Sequence, residues 1–210
     1  MNARRAFRSW LIAGAATVIA TLLCIAYLDR PLAELFELHL RHTPVWNGLY
    51  VALLPLGLVP LAAVIYLFAC GAWILSGRLL PRSTIAPLLC SWATVWAIAA
   101  TVILKRTFGR GWPDPEYVRD HLYGFHLLHG GAHWESFPSG TAAISCAIVS
   151  VLWILMPRRR TVCVLIVALL CAAVVVANFH WLSDVLAGAF LGSTVGWMTT
   201  QLHAATHPPD

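Results

Sequence analysis

Six long apolar stretches separate the charged residues of this chain, and they constrain its fold more than any other feature. Each is close to the roughly 20 residues that a helix needs to cross the hydrocarbon core of a bilayer. They cover residues 10–28, 48–75, 85–104, 140–156, 162–179 and 185–202. The sequence therefore predicts an all-α fold, a six-transmembrane helical bundle that forms one domain over residues 1–210.

The composition argues against both a soluble globular domain and a disordered chain. Hydrophobic residues make up 60% of the sequence and charged residues 11%, whereas a soluble domain has about 45–50% and about 25%. Disorder requires low hydrophobicity and high net charge. A transporter is also disfavoured, because the interiors of the predicted spans carry none of the ionisable side chains that would mark an ion path.

The charges between the spans predict the orientation of the bundle. With the N-terminus inside, the inner segments carry eight Lys or Arg and one acid, Asp210, which sum to +7. The outer segments carry six Lys or Arg and eight acids, which sum to −2. This asymmetry predicts both termini in the cytoplasm, with a bacterial inner membrane as the expected location. The basic inner loops are short and fit the same rule, so we predict no nucleic-acid partner.

Two outer segments have features of their own. Residues 31–43 place four apolar side chains at helical spacing, which predicts a short helix lying on the outer interface. The loop between the third and fourth predicted spans, from Lys105 to Ser139, is long and rich in aromatic residues, His and Gly. A loop of this length in a compact protein is usually functional or disordered, and its composition favours a functional loop.

Three polar clusters fall at span ends on the predicted outer side. Lys105 and Arg110 place cations where they can neutralise a phosphate, although snorkelling to the interface is an alternative role. Ser139 and Gly140 begin the fourth span, and the free N–H groups of a helix N-terminus form an anion site. The simpler interpretation of Ser139 is an N-cap.

The third cluster pairs His180 with Asp184, four residues apart and therefore on one face if the segment is helical. A carboxylate can orient an imidazole and increase its nucleophilicity. The alternative is that Asp184 only caps the sixth helix while His180 lies at the interface.

Together the three clusters resemble the motifs of the type 2 phosphatidic acid phosphatase superfamily. That family carries KxxxxxxRP, then PSGH, then an Arg followed six residues later by His and after four more by Asp. The matching residues are Lys105, Pro113, Pro138, Ser139, Gly140, His180 and Asp184. The resemblance covers residues 105–188. It implies hydrolysis of a lipid phosphate or diphosphate through a phosphohistidine at His180, oriented by Asp184, with neither metal nor cofactor.

Three positions depart from these motifs. Trp112 and Val174 stand where the family has Arg, and Thr141 stands where it has His. The resemblance implies that the missing Arg residues hold phosphate and that the missing His protonates the leaving group. Arg110 is a candidate for the phosphate contact, two residues before Trp112. The candidates to replace the acid are His126, His129 and His133 of the outer loop, followed by Tyr123 and Glu135. The alternative is that this His-rich, aromatic loop shapes a headgroup pocket or covers the site.

The departures leave more than one function open. The leading prediction is a lipid phosphatase with its site facing the periplasm or cell exterior, acting on a lipid such as phosphatidate, phosphatidylglycerophosphate or a polyprenyl diphosphate. A phosphotransferase would use the same residues, because only the acceptor differs. A non-catalytic binder of lipid phosphates is the alternative that the departures favour. We predict no metal site, because the motifs require no metal; a site at His126, His129 and His133 is the alternative. The six cysteines fall inside predicted spans and show no CxxC spacing, which favours apolar packing over metal or disulfide roles. The oligomeric state is left open.

Overall fold

The computed structural model describes residues 3–206. Within that range the chain forms eight α-helices joined by short 3₁₀ and π turns and contains no β-strand, which confirms the all-α prediction. Asp210, counted above as the inner acid, lies outside the described residues. The helices are α1 Ala3–Leu23, α2 Asp29–Leu40, α3 Pro44–Leu53, α4 Val59–Leu75, α5 Ile85–Phe108, α6 Gly140–Leu155, α7 Arg160–Val176 and α8 Leu182–Thr206.

Four helical segments of the described chain are long and apolar enough to cross a membrane. They are Arg4–Leu40, Pro44–Leu75, Arg82–Phe108 and Pro157–Val176. Helix α6 is apolar but has 16 residues, and α8 has 25 residues but is not one of the four. The count of six spans therefore stays a prediction.

The helix predicted at residues 31–43 is present as α2, but it does not start separately. A π turn at Cys24–Leu28 joins α1 to α2, so that one helical segment continues to Leu40. Single π turns within helices often occur at functional sites. Here the turn immediately precedes Asp29, whose side chain is buried in the bundle.

Small residues fill the interior of the bundle, while large apolar side chains face outward. Ala93 and Ala97 of α5 are completely buried against Ala143 and Ala147 of α6. By contrast, Phe68 of α4 is 76% exposed. Lipid tails are as apolar as these outward side chains, so helices in a bilayer associate through close packing of small residues.

Helices α6 and α8 approach closely along a stripe of glycines. The stripe consists of Gly188, Gly192 and Gly196. A Cβ atom at Gly192 would overlap the backbone carbonyl of Ala143, and Gly188 and Gly196 face the carbonyls of Ser139 and Ala147 in the same way. This close packing brings the start of α6 beside the start of α8, where the Ser139 N–H donates to the Asp184 carbonyl over 3.0 Å. The spacing of the glycines is the small-xxx-small pattern that marks helix contacts in membranes.

The loop of residues 109–139 folds back over the end of α5. Gly109 ends that helix in the left-handed region, at φ +54°, and a Cβ there would overlap the carbonyl of His126. Arg110 then pairs with both Phe125 and Glu135 through isolated β-bridges. These contacts bring the two halves of the loop together around Arg110.

Candidate active site

The three polar clusters meet at one end of the bundle. Lys105 in the last turn of α5, Gly140 and Thr141 at the start of α6, and His180 before α8 all line one cavity of about 490 Å³. The structure thus brings together residues that are up to 75 positions apart, from Lys105 to His180. Closely packed helix ends place them, so the arrangement depends on the whole bundle.

The turn between α7 and α8 positions His180. Asn178 follows the end of α7 and adopts the left-handed backbone conformation, at φ +52°. Its Nδ2 donates to the Ala33 carbonyl over 3.0 Å. The N–H of His180 donates to the Val174 carbonyl over 3.2 Å. Val174, at the position of the third-motif Arg, is 2% exposed and packs in an apolar cluster. The sequence analysis missed Asn178, although Asn is a common residue at the left-handed end of a helix.

His180 and Asp184 lie side by side without a hydrogen bond. Nδ1 of His180 is 3.6 Å from Oδ2 of Asp184, and this buried nitrogen has no hydrogen-bond partner. Burial lowers the pKa of His180 below its ordinary value; Asp184 opposes that shift and the charge of Lys105 adds to it. The lowered pKa favours the neutral form of the imidazole.

Asp184 is fully buried and held by three donors. Its Oδ1 accepts from Nη1 of Arg110 over 2.5 Å, and its Oδ2 accepts from Oγ of Ser136 over 2.5 Å and from the Trp181 N–H over 3.2 Å. These bonds fix the carboxylate beside the imidazole. Ser136 is a residue of this site that the sequence analysis did not assign.

Arg110, the candidate for a phosphate contact, does not line the cavity. Its side chain is fully buried, and its Nη1 and Nη2 groups are directed to Asp184 and to Asp29, the latter over 2.7 Å. Ser183 completes the group, because its Oγ accepts from Arg110 over 2.6 Å and donates to Asp29. Arg110 therefore bridges two carboxylates behind the site. The sequence analysis did not assign Asp29. The signal that could have found it is an acidic residue at the end of a predicted membrane span, where ionisable side chains usually have a function.

Trp112 occupies the position of the first-motif Arg and packs against His180. The two rings have centroids 5.0 Å apart, and the Lys105 ammonium lies 4.6 Å from the centre of the Trp112 ring. The indole N–H donates to the Ala132 carbonyl over 2.7 Å. Lys105 also donates to the Glu135 carbonyl. Among the described residues that line the cavity, Lys105 is the one Lys or Arg.

Ser139 acts as the N-cap of α6. Its Oγ accepts from the Ala142 N–H over 3.3 Å, and the residue is fully buried behind the cavity wall. The neighbouring Gly140 and Thr141 line the cavity instead. The first backbone N–H groups of α6 are thus the part of this segment that can face an anion.

The predicted replacement acids do not line the cavity. His126, His129 and His133 are exposed in the outer loop. His126 packs on the Trp134 ring with centroids 4.1 Å apart, and Nδ1 of His133 lies 2.8 Å from a carboxylate oxygen of Glu116. The structure does not bring any of the three to His180, because the loop folds them over its own aromatic residues. Over residues 3–206, no group of three or more His, Cys, Asp or Glu side chains is placed to hold a metal ion.

Comparison with known proteins identifies the family. The sequence profile of the PAP2 superfamily matches residues 86–208, which is more than half of the chain, and the chain belongs to this superfamily. The match includes all three clusters. Family membership and the apolar helices together make this an integral membrane protein.

Two curated relatives and one solved structure are similar to the chain. It is 30% identical over 131 residues to a lipid A 1-phosphatase of Rhizobium etli, covering 59% of this chain and 56% of the relative. It is 29% identical over 131 residues to a lipid A 1-phosphatase of Rhizobium johnstonii, covering 59% and 53%. The chain thus spans little more than half the length of these curated relatives.

The solved structure is the crystal structure of a transmembrane PAP2-type phosphatidylglycerolphosphate phosphatase from Bacillus subtilis. It superposes with a TM-score of 0.56 over 93% of this chain and 98% of the other, at 16% sequence identity. At that identity the similarity concerns the fold.

Proposed function

We propose that this protein is a membrane lipid phosphatase that hydrolyses a lipid phosphate or diphosphate through a phosphohistidine on His180. The observation that carries the proposal is the cavity in which His180, Lys105 and the start of α6 meet, with Asp184 3.6 Å behind the imidazole. The relatives are named as phosphatases of lipid A and of phosphatidylglycerolphosphate. Those names support a phosphate carried by a membrane lipid as the substrate.

The chemistry divides into two displacements at phosphorus. In the first, Nε2 of His180 attacks phosphorus, the bond from phosphorus to the lipid oxygen breaks, and that oxygen takes a proton from a water molecule, which becomes hydroxide. In the second, water attacks the phosphohistidine, the phosphorus–nitrogen bond breaks with its electron pair returning to Nε2, and the proton that the attacking water loses neutralises the hydroxide as inorganic phosphate leaves. Neither step uses a metal ion or a cofactor.

Asp184 compensates the positive charge that develops on the imidazole. Its carboxylate faces Nδ1 of His180, and hydrogen bonds that are long in a free enzyme often tighten once the substrate is bound. Arg110 and Ser136 act as positioning residues, since they donate hydrogen bonds to this carboxylate. Asp29 in turn holds Arg110 in place. Phosphoryl transfer depends mainly on such positioning and on stabilisation of charge.

Lys105 and the start of α6 bind the phosphate. Lys105 supplies the positive charge in the cavity, and the backbone N–H groups at Gly140 and Thr141 lie at the positive end of the α6 dipole. Trp112 closes one side of His180 and holds the Lys105 ammonium over its ring. Lys105 alone then takes the place of the one Lys and two Arg residues that the family motifs carry.

The same proposal includes the membrane topology. We place all six apolar stretches across a bacterial inner membrane, with both termini in the cytoplasm and residues 1–210 as one domain. The site then faces the periplasm or cell exterior, because it lies where α5 ends and α6 begins. A lipid phosphate headgroup at the outer interface lies at the depth of the cavity mouth.

Phosphate release from purified protein in detergent tests the proposal. The panel contains phosphatidate, phosphatidylglycerophosphate, a polyprenyl diphosphate and lipid A, each assayed with EDTA present. We expect the wild type and the control His39→Ala, an exposed helix residue, to release phosphate, and His180→Ala to release none. Release that survives in His180→Ala refutes the histidine mechanism, and release that requires a metal ion refutes metal independence.

A second candidate, the non-catalytic binder, is favoured by the apolar burial of Val174 and the indole at Trp112. Mass spectrometry of the protein under conditions that preserve phosphohistidine separates the alternatives. A phosphorylated His180 without phosphate release indicates a phosphotransferase. Saturable binding of a lipid phosphate without phosphorylation or release indicates a binder.

A further inference from the structure

The cavity at His180 is much larger than a phosphate group requires. Its polar end consists of Lys105, Thr141 and His180, and the remainder of its wall is almost entirely apolar. The apolar part follows α6 and α7 away from the site. Its lining includes Ile144, Ile148, Leu152, Cys163, Ile166 and Leu170.

The apolar part extends deep into the bundle. On α6 the lining residues recur every three or four positions from Gly140 to Leu152, so they form one stripe along one face of the helix. Twelve residues of α-helix correspond to about 18 Å at 1.5 Å per residue. Half of the hydrocarbon core of a bilayer is about 15 Å. The cavity therefore reaches from the site to roughly the depth of one leaflet.

The wall opposite α6 is formed where the second apolar segment is irregular. A 3₁₀ turn at Leu54–Leu58 separates α3 from α4, and Leu56, Gly57 and Pro60 near it line the cavity. No atom lies within 4 Å of where a Cβ of Gly57 would stand. Irregular backbone at membrane depth is tolerated where it is buried in protein or lines a cavity. The turn leaves room between this segment and α6.

We propose that this cavity holds one hydrocarbon chain of the lipid phosphate substrate and that its far end, at Leu152 and Cys163, limits the length of that chain. This inference rests on the proposed function, because it places the phosphate of the same molecule at His180. The cavity is continuous from the polar end to the apolar end, so a chain attached to the bound phosphate enters it directly. Its volume of about 490 Å³ lies within the roughly 300–1,000 Å³ of single-ligand pockets.

In a bilayer, the size and shape of the cavity decide which hydrocarbon chains bind, because hydrophobicity alone hardly distinguishes between them. A chain that moves from lipid into an apolar cavity exchanges one apolar environment for another. A chain that moves from water gains apolar contact with every methylene. With alkyl phosphates dissolved as monomers, we therefore expect kcat/KM to rise about fourfold per methylene until the cavity is filled, and then to level off.

The first experiment measures this series, from ethyl to hexadecyl phosphate below micelle formation, with wild type and three variants. Leu152→Trp fills the far end and Ile148→Trp fills the cavity one turn nearer the site, while Ile154→Trp, on the exposed side of the same helix, is the matched control. We expect the chain length at which kcat/KM levels off to shorten in Leu152→Trp and to shorten further in Ile148→Trp. The Ile154→Trp variant should match the wild type on every phosphate of the series, including ethyl phosphate. An unchanged length in all variants overturns the inference.

A second experiment does not depend on turnover. A tetradecyl phosphonate with a diazirine at the chain terminus is bound to the purified protein, irradiated and located by mass spectrometry. We expect cross-links to the segments around Leu152 and Cys163, and competition by unlabelled tetradecyl phosphonate but not by inorganic phosphate. Cross-links spread over the outward faces of α1 and α4 would show a detergent-like contact and overturn the inference. Cross-links at the far end without any phosphate release would instead refute the proposed phosphatase activity alone.

Discussion

Removal of the Arg110 guanidinium tests the buried network behind the site. Arg110→Met keeps much of the side-chain volume but removes the charge that two carboxylates share. Asp29 and Asp184 are both fully buried, and Arg110 approaches them over 2.7 and 2.5 Å. Without it, Asp29 retains Ser183, and Asp184 retains Ser136 and the Trp181 N–H. Neither carboxylate then accepts a hydrogen bond from a positively charged side chain.

The expected loss of stability is large. Breaking a buried ion pair by removing one partner costs about 3–5 kcal/mol, because the remaining charge stays buried without compensation. For a chain of this size, 1 kcal/mol corresponds to a shift in Tm of about 2–4 °C. Arg110→Met should therefore lower the Tm by about 6–20 °C. Activity should fall as well, because Asp184 loses one of the three donors that hold it beside His180.

Thermal unfolding in detergent, followed by the fluorescence of the 10 tryptophans, measures the shift. Arg106→Met is the matched control, because Arg106 is an exposed cation in the last turn of α5. A surface substitution of that kind changes stability by less than about 0.5 kcal/mol. Equal shifts for the two variants would refute the reasoning.

A double variant identifies which charge causes the loss. Asp29→Asn in the Arg110→Met background removes one of the two carboxylates that have lost their cation. It should therefore restore part of the stability, with a coupling of about 0.5–3 kcal/mol between the two positions. Additive losses would show that Asp29 and Arg110 act independently, against the 2.7 Å contact between them.

Three further predictions concern packing, titration and the missing acid. Gly192→Ala should lower the free energy of unfolding by about 1–3 kcal/mol, because its Cβ meets an α6 carbonyl; Gly71→Ala, in open space, should not, and equal thermal shifts would contradict this. The lowered pKa of His180 keeps the imidazole neutral to lower pH, so the acid limb of kcat/KM should lie below about pH 6.5. Lys105→Met removes a positive charge near His180, which raises the pKa of His180 and should move the acid limb of kcat/KM to higher pH. An acid limb that stays in place would show that Lys105 does not affect the pKa of His180. Thr141→His restores the family residue within the cavity and should raise kcat by about 10²-fold; a rate that is unchanged or lower counts against a missing acid.

The sequence determined the features that depend on local properties of the chain. A helix in a bilayer satisfies its backbone hydrogen bonds within its own segment, so the apolar stretches predicted the helices directly. The positions of Lys105, Gly140 and His180 at successive helix ends predicted that they meet on one side of the bundle, and the structure places them around one cavity. The Gly188 to Gly196 spacing carried a further signal for the contact of α6 with α8, which the sequence analysis did not use.

Tertiary structure decided how the charged and aromatic groups are paired. Asp29 and Arg110 are 81 positions apart, and no local pattern in the chain links them. Arg110 resembled a phosphate ligand by position, but the fold buries it between two carboxylates, away from the cavity lining. Likewise, only the packing of the outer loop places Trp112 against His180 and leaves His126 outside the cavity. The physical reason is that the free energy of a buried charge depends on which partner the fold brings within hydrogen-bond distance, whereas membrane insertion depends on the composition of each segment.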